Sequence, residues 1–241
     1  MSELLWKLEL GFGAQMMDLS FEQFPALSAI GICRHAFTQR IPDIDVAHDK
    51  AEVLKRLDAA HRGIRNAISM GDSPLFTAQQ IHGDKIAIVD LAECGGSRVG
   101  CEDRHFPGCD GIITNQRGIV LGVYVADCCA VYIVDSKTPA IGLVHSGRKG
   151  TELGIVPNAI TQMIESFGSN PTELTIQLSP CIRPPHYEID FAARIIEQCR
   201  ALGVKEIHDT GRCTACHPDV YYSYRAEKGR TGRMLALVGL L

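Results

Sequence analysis

The chain has no apolar run long enough to cross a bilayer. Its first residues, Met1-Ser2-Glu3-Leu4-Leu5-Trp6-Lys7, lack the positive region, apolar stretch and cleavage site of a secretory leader. These absences leave no candidate for a membrane-spanning helix, make a membrane partner unexpected and point to the cytoplasm. Positive charge is also scarce. With 24 Lys and Arg against 28 Asp and Glu, the formal net charge is −4, which leaves no basic footprint for nucleic acid. No internal repeat, low-complexity tract or linker interrupts the sequence, so residues 1–241 are expected to form one domain with a sizeable core.

Cysteine is what the chain has in excess, with ten in all, at 33, 94, 101, 109, 128, 129, 181, 199, 213 and 216. Without a leader, a disulfide framework is not expected in a chain of this length. In a reducing compartment such cysteines are buried small hydrophobes, metal ligands or nucleophiles. Cys213-Thr214-Ala215-Cys216 is a Cys-x-x-Cys pair, but a structural zinc site needs a second pair, and Cys94, Cys101 and Cys109 are too widely spaced to supply one. That stretch reads as a loop with partly buried thiols.

Periodicity predicts a helix over 43–69, where Val53, Leu57, Ile64 and Ile68 recur at near-helical spacing. Strands are expected at 76–81, 85–90, 111–114, 118–125, 131–135, 140–144, 174–178 and 234–240, and helices at 151–167 and 191–202. Residues 91–107 read as a long loop. The fold class is therefore mixed α/β (α+β) around one main core.

Three segments share one pattern, a β-rich run that ends in a metal-friendly side chain followed closely by a small residue. They are Gln79-Gln80-Ile81-His82-Gly83, Val125-Ala126-Asp127-Cys128 and Leu143-Val144-His145-Ser146-Gly147. Strand ends present side chains to clefts. Two histidines and a cysteine suit Zn²⁺ and leave its fourth position open, as in catalytic sites. Spacing alone leaves the plain alternative standing, in which the cysteine is core packing and the histidines are hydrogen-bonded surface residues. Neighbours on a strand point to opposite faces, so Cys129 turns away from Cys128, and Asp127 does so unless the chain bends there.

The ordered motifs "QQIHG", "DGIIT", "VADCCAVYIVD", "GLVHSGRKG", "SPCIRPPHYEID" and "CTACHPDVYYSYRAEKGRTGRM" resemble those of the laccase-domain family, also called YfiH-like or multicopper polyphenol oxidase-like proteins. The resemblance spans roughly 77–238. It implies layered mixed sheets flanked by helices, a fold shared with a cysteine-dependent toxin deamidase. It also implies a catalytic Zn²⁺ held by His82, Cys128 and His145, and phosphorolysis of adenosine, inosine, guanosine or methylthioadenosine, in some members with adenosine deamination. The expected partners are a purine nucleoside and phosphate, and the protein would act as a monomer or homodimer. Arg148, Lys149 or Arg225 would bind substrate, taking phosphate by fork or point charge. The sequence departs from the family at His145-Ser146-Gly147-Arg148-Lys149-Gly150, where the family reads His-Ala-Gly-Trp-Arg-Gly. It departs again at Ala130 and Ser179, where the family has proline and glycine.

Three other readings stay open. Cys128 and His145 could serve a metal-free cysteine hydrolase or deamidase. Copper could occupy the His₂Cys set for polyphenol oxidation, although the sequence has no His-x-His pair to build a laccase cluster. The metal could also be structural, in a non-catalytic binding module.

Overall fold

The computed structural model describes residues 20–94 and 102–241. Cys101 and the start of the chain lie outside them. In chain order the elements are β1 (Phe21–Glu22), α1 (Pro25–Ile30), β2 (Cys33–Thr38), α2 (Lys50–Ala67), β3 (Leu75–Ala78), β4 (Ile86–Ile88), β5 (Arg104–Phe106), β6 (Gly111–Thr114), β7 (Val120–Val125), β8 (Cys129–Asp135), β9 (Ala140–Ser146), α3 (Arg148–Glu152), α4 (Ile155–Phe167), β10 (Leu174–Leu178), α5 (Phe191–Ala201), β11 (Glu206–Asp209) and β12 (Met234–Leu240). They build two six-stranded mixed sheets, ordered β1-β2-β12-β7-β3-β5 and β11-β10-β8-β9-β6-β4.

The sheets pack face to face. Along β8, Ala130, Tyr132 and Val134 point into the core shared with the first sheet, while Cys129, Val131 and Ile133 face α4 and α5. Both faces of β8 are thus covered, which explains its nearly unbroken apolar run. The Tyr132 hydroxyl donates to the Ala36 carbonyl at 2.9 Å and links the sheets across this core. The second layer of core comes from α4 (Ile155, Val156, Ala159, Ile160, Met163) and α5 (Ile195, Cys199).

Helix α2 starts at Lys50, not at residue 43. Asp49 caps it by accepting the Glu52 N–H, and the preceding segment is not helical. The helix expected over 151–167 is split. Gly154, in the left-handed region at φ 77°, ends the short α3 turn and opens α4. Pro157 is then the third residue of α4, where no intrahelical N–H partner is lost. The loop expected at 91–107 carries the short edge strand β5. No helix among the described residues is long and apolar enough to cross a membrane.

Candidate functional site

After β3 the backbone enters the left-handed region at Gln80 (φ 64°) and His82 (φ 60°). This loop turns three consecutive N–H groups, of Ile81, His82 and Gly83, onto the Asp110 carboxylate at 3.0, 2.8 and 2.8 Å. Successive N–H groups arranged so form a nest for an anion. Each left-handed non-glycine residue costs about 1–3 kcal/mol, and such strain persists where its surroundings over-determine it. Gln80 adds to that constraint. Its side-chain amide donates to the Tyr124 carbonyl at 2.5 Å and accepts the Tyr124 N–H at 2.9 Å, fastening the loop to β7.

Asp110 is fully buried just before β6 and has a second task. Its Oδ1 lies 2.9 Å from Nδ1 of His145, near the end of β9. With Nδ1 engaged, Nε2 of His145 is left for the site. The third strand-end residue stands where the chain passes from β7 in one sheet to β8 in the other. Asp127 takes φ 82° there, so the chain does bend. The Asp127 carboxylate accepts from the Thr214 hydroxyl and the Arg225 N–H, both at 2.7 Å, and its carbonyl accepts the Ile182 N–H at 2.8 Å. Asp127 therefore anchors the bend that presents Cys128. Cys129 points away into the helix-covered layer, its Sγ 3.8 Å from the Ser179 carbonyl.

The His82, Cys128 and His145 donor atoms all lie within 4.8 Å of one another. Cys128 Sγ is 3.9 Å from His82 Nε2, and the two imidazoles meet edge to face at 4.9 Å between centroids. Gly147 makes room for them, since a Cβ there would sit 2.5 Å from Cys128 Sγ. Burial pushes the Cys128 thiol up, but His145 and then His82 outweigh it and bring it to about 6. Burial pushes His145 down, but Cys128 and Asp110 outweigh that and raise it to about 9. Burial likewise raises Asp110, yet His145 and the loop N–H groups hold it below the usual carboxylate range. Two imidazoles and a readily ionised thiol, with a carboxylate steering one imidazole, make a donor set that could hold a divalent metal with one position open.

These residues form the floor of a cavity of about 780 Å³. Tyr187, Phe191 and Ile182 give it an apolar flank, and Tyr224 adds a further ring. Lys50, Arg148, Arg225, Lys228 and Arg233 line it against a single carboxylate, Asp127, so the cavity is positive. Arg148 and Arg225 thus border the site as expected, but both are engaged. Arg148 pairs with Glu152 at 3.0 Å and Glu188 at 3.5 Å. Arg225 pairs with Glu188 at 3.2 Å and lies over the Tyr187 ring at 5.1 Å. Lys149 is exposed on α3 and is not part of the wall, because one step along the helix turns it roughly 100° away from Arg148. Cys213 is buried and Cys216 exposed, and among the described residues they belong to no metal-ligating group.

Sequence reasoning gave no role to Asp110, Gln80, Gly147 or Lys50, although the first three lie within the ordered motifs "DGIIT", "QQIHG" and "GLVHSGRKG". Arg233 was legible only as one of the basic residues near the end of the chain that could serve an anionic group.

Comparison with known proteins places this chain in one family. The family model described as multi-copper polyphenol oxidoreductase laccase matches residues 35–195 and 187–241. A purine nucleoside phosphorylase YlmD of Geobacillus stearothermophilus is 28% identical over 197 residues, covering 67% of this chain and 70% of that protein. A purine nucleoside phosphorylase of Corynebacterium glutamicum is 29% identical over 203 residues, covering 73% and 78%. Among solved structures, YfiH of Bacillus licheniformis superposes with a TM-score of 0.74 at 21% identity, covering 87% of this chain and 93% of that one. YlmD of Geobacillus stearothermophilus gives 0.72 at 21%, covering 98% and 99%. The two layered sheets and the ordered motifs thus have their counterpart: the chain belongs to the multi-copper polyphenol oxidoreductase laccase family, the YfiH-like laccase-domain proteins.

Proposed function

We propose that this chain is a zinc-dependent purine nucleoside phosphorylase, working in the cytoplasm as one domain over residues 1–241, with His82, Cys128 and His145 as ligands of the ion. The observation that carries this reading is the convergence of these three donors on the floor of a positive cavity with an aromatic flank. The names of the curated relatives support it. Tyr187 and the exposed Tyr224 offer rings for a purine, and the cationic wall attracts phosphate. In the reaction a phosphate oxygen bonds to C1′ of the ribose. The C1′–N9 bond breaks, its electron pair leaves with the base, and the proton of hydrogen phosphate ends on the base. The products are the free purine and ribose 1-phosphate. Bound zinc would supply Lewis acidity beside the reacting bond. Asp110 fixes the orientation of His145, and Gln80 fixes the loop that carries His82. Arg148 and Arg225, braced by Glu188, shape the nucleoside end of the cavity. Deamination of adenosine, in which water replaces the 6-amino group and ammonia leaves, is a second activity of the same cavity. A laccase cluster needs further ligand groups, and among the described residues this is the only group of three.

The test combines elemental analysis of the purified chain with a nucleoside screen, with and without phosphate, scored for base and ammonia. About one zinc per chain and phosphate-dependent base release are expected. Full phosphorolysis by a Cys128→Ala, His145→Ala double variant would sink the reading.

One observation favours a second reading. Asp110, His145 and Cys128 also stand in the order orienting acid, base and nucleophile. A metal-free cysteine hydrolase or deamidase predicts covalent trapping of Cys128 by an electrophilic amide analogue in chelator-treated protein. Zinc that blocks alkylation of Cys128 counts against it.

A further inference from the structure

The cavity wall carries its positive charge in two different states. Arg148 and Arg225 spend theirs on Glu152 and Glu188. Lys50, Lys228 and Arg233 do not: among the described residues none of the three has a carboxylate within ion-pair distance, although all line the cavity, the two lysines exposed. The adjacent carboxylates are committed elsewhere, Asp49 to the cap of α2 and Glu52 to Arg56. Arg233 is half-buried and held in place. Its Nη1 donates to the Thr231 and Gly232 carbonyls at 2.9 and 2.8 Å, and its guanidinium lies 5.8 Å from the Tyr224 ring centre. Gly232 allows this by lying against the Tyr222 ring, where any Cβ would collide. The remaining guanidinium N–H groups have no partner among the described residues. Lys50 and Arg233 also sense each other. Burial and then the charge of Arg233 lower the Lys50 ammonium, and burial and then Lys50 lower His105. Two cations without an ion-pair partner, lining one cavity and sensing each other's charge, suit a small dianion.

We propose that Lys50 and Arg233 form the subsite for inorganic phosphate in this cavity, Arg233 by its guanidinium fork and Lys50 as a point charge from the first turn of α2. The identification of the anion as the reaction's phosphate rests on the phosphorolysis reading above. Placed here, phosphate approaches the sugar from the β12 and α2 side, and the braced Arg148–Glu188–Arg225 cluster lines the nucleoside end. This moves the phosphate contact away from Arg148, Lys149 and Arg225.

Two measurements on the full, zinc-loaded chain test it. The first titrates inorganic phosphate calorimetrically, without nucleoside. The second varies phosphate in initial-rate phosphorolysis. Lys50→Gln should weaken phosphate in both by about tenfold, with the nucleoside KM within about twofold of wild type. Arg233→Lys, which keeps the charge and loses the fork, should weaken phosphate less while circular dichroism reports an intact fold. Lys55→Gln, the same charge change farther along α2, should bind phosphate as wild type does. Wild-type phosphate affinity in Lys50→Gln overturns the proposal, as does weakened binding in Arg148→Gln or Arg225→Gln but not in Lys50→Gln. If no nucleoside is phosphorolysed yet phosphate binding is lost in Lys50→Gln, the anion site stands and the phosphorylase reading falls. Absence of any phosphate binding by the wild-type chain overturns the subsite.

Discussion

Asp110→Asn removes one charge and almost no volume, and the geometry around it limits how an amide can be placed. In the wild-type chain Oδ1 accepts from the His82 N–H and faces His145 Nδ1, while Oδ2 accepts from the Ile81 and Gly83 N–H groups. An asparagine has one acceptor atom, so whichever way its amide turns, an NH₂ faces one of these pairs of partners. With the oxygen at the Oδ1 position, two backbone N–H groups lose their acceptor. With it reversed, the His82 N–H is orphaned and the amide NH₂ faces the proton on His145 Nδ1. Hydrogen bonds to a charged group are worth about 1.5–3 kcal/mol each. Ile81 is 51% exposed, so water recovers part of the loss and the lower end applies, about 3 kcal/mol for two bonds. The released loop has less reason to keep Gln80 and His82 left-handed, and the metal loses a ligand orientation that typically contributes 10–100-fold in affinity. Urea unfolding of the zinc-free protein measures the first effect and chelator competition for zinc the second. Wild-type stability and wild-type zinc affinity in a folded Asp110→Asn protein would refute this account of how the site is built.

Gly147→Ala places a methyl group 2.5 Å from Cys128 Sγ, so the thiol must rotate out of the cluster. Zinc content and phosphorolysis should fall at least about tenfold while the urea midpoint changes little, because Gly147 supports the site and not the core. His35 and His61 are both buried and held down to about 4 by burial, against 6.5 when unfolded. In the unfolded chain they take up protons below about pH 6.5 and in the native chain only near 4, so the unfolded state binds more protons between these values. Native stability is therefore complete above pH 6.5 and lost as pH falls, by about 2 kcal/mol for each histidine at pH 5. Urea titrations at pH 7 and 5 read this directly. A midpoint that rises on acidification would contradict it.

The parts of the site that were legible in the sequence are those set by strand ends. His82, Cys128 and His145 each stand at or beside the end of an apolar run, and family motifs singled them out. Asp110 escaped because its role depends on three N–H groups turned toward it by left-handed residues, a feature that leaves no periodic trace. Lys50 and Arg233 are 183 positions apart and meet only because α2 and β12 border the same cavity. Arg148 looked available until the fold brought Glu188 to it. In the fold, β6, β10 and β12 emerged at their expected bounds, each an apolar run that is largely buried. β1, α1 and β11 did not, since they bury almost nothing and so carry little apolar pattern. The start of α2 falls at Lys50 and not at residue 43 because Asp49 accepts the Glu52 N–H there, while Asp45 accepts the Ala47 N–H in a local turn ahead of the helix.

The position of Cys128 at the crossing from β7 to β8 has a further consequence. His82 follows a strand of the first sheet, His145 ends a strand of the second, and Cys128 stands on the connection between them. An ion bound by all three clasps the two layers at one edge of their shared core. Its binding free energy is then added to the resistance of the layers to separation, growing by about 1.4 kcal/mol for each tenfold excess of free ion over Kd. With such an ion, metal supply and resistance to unfolding become a single linked quantity, and the metal-starved chain would be the easier one to degrade.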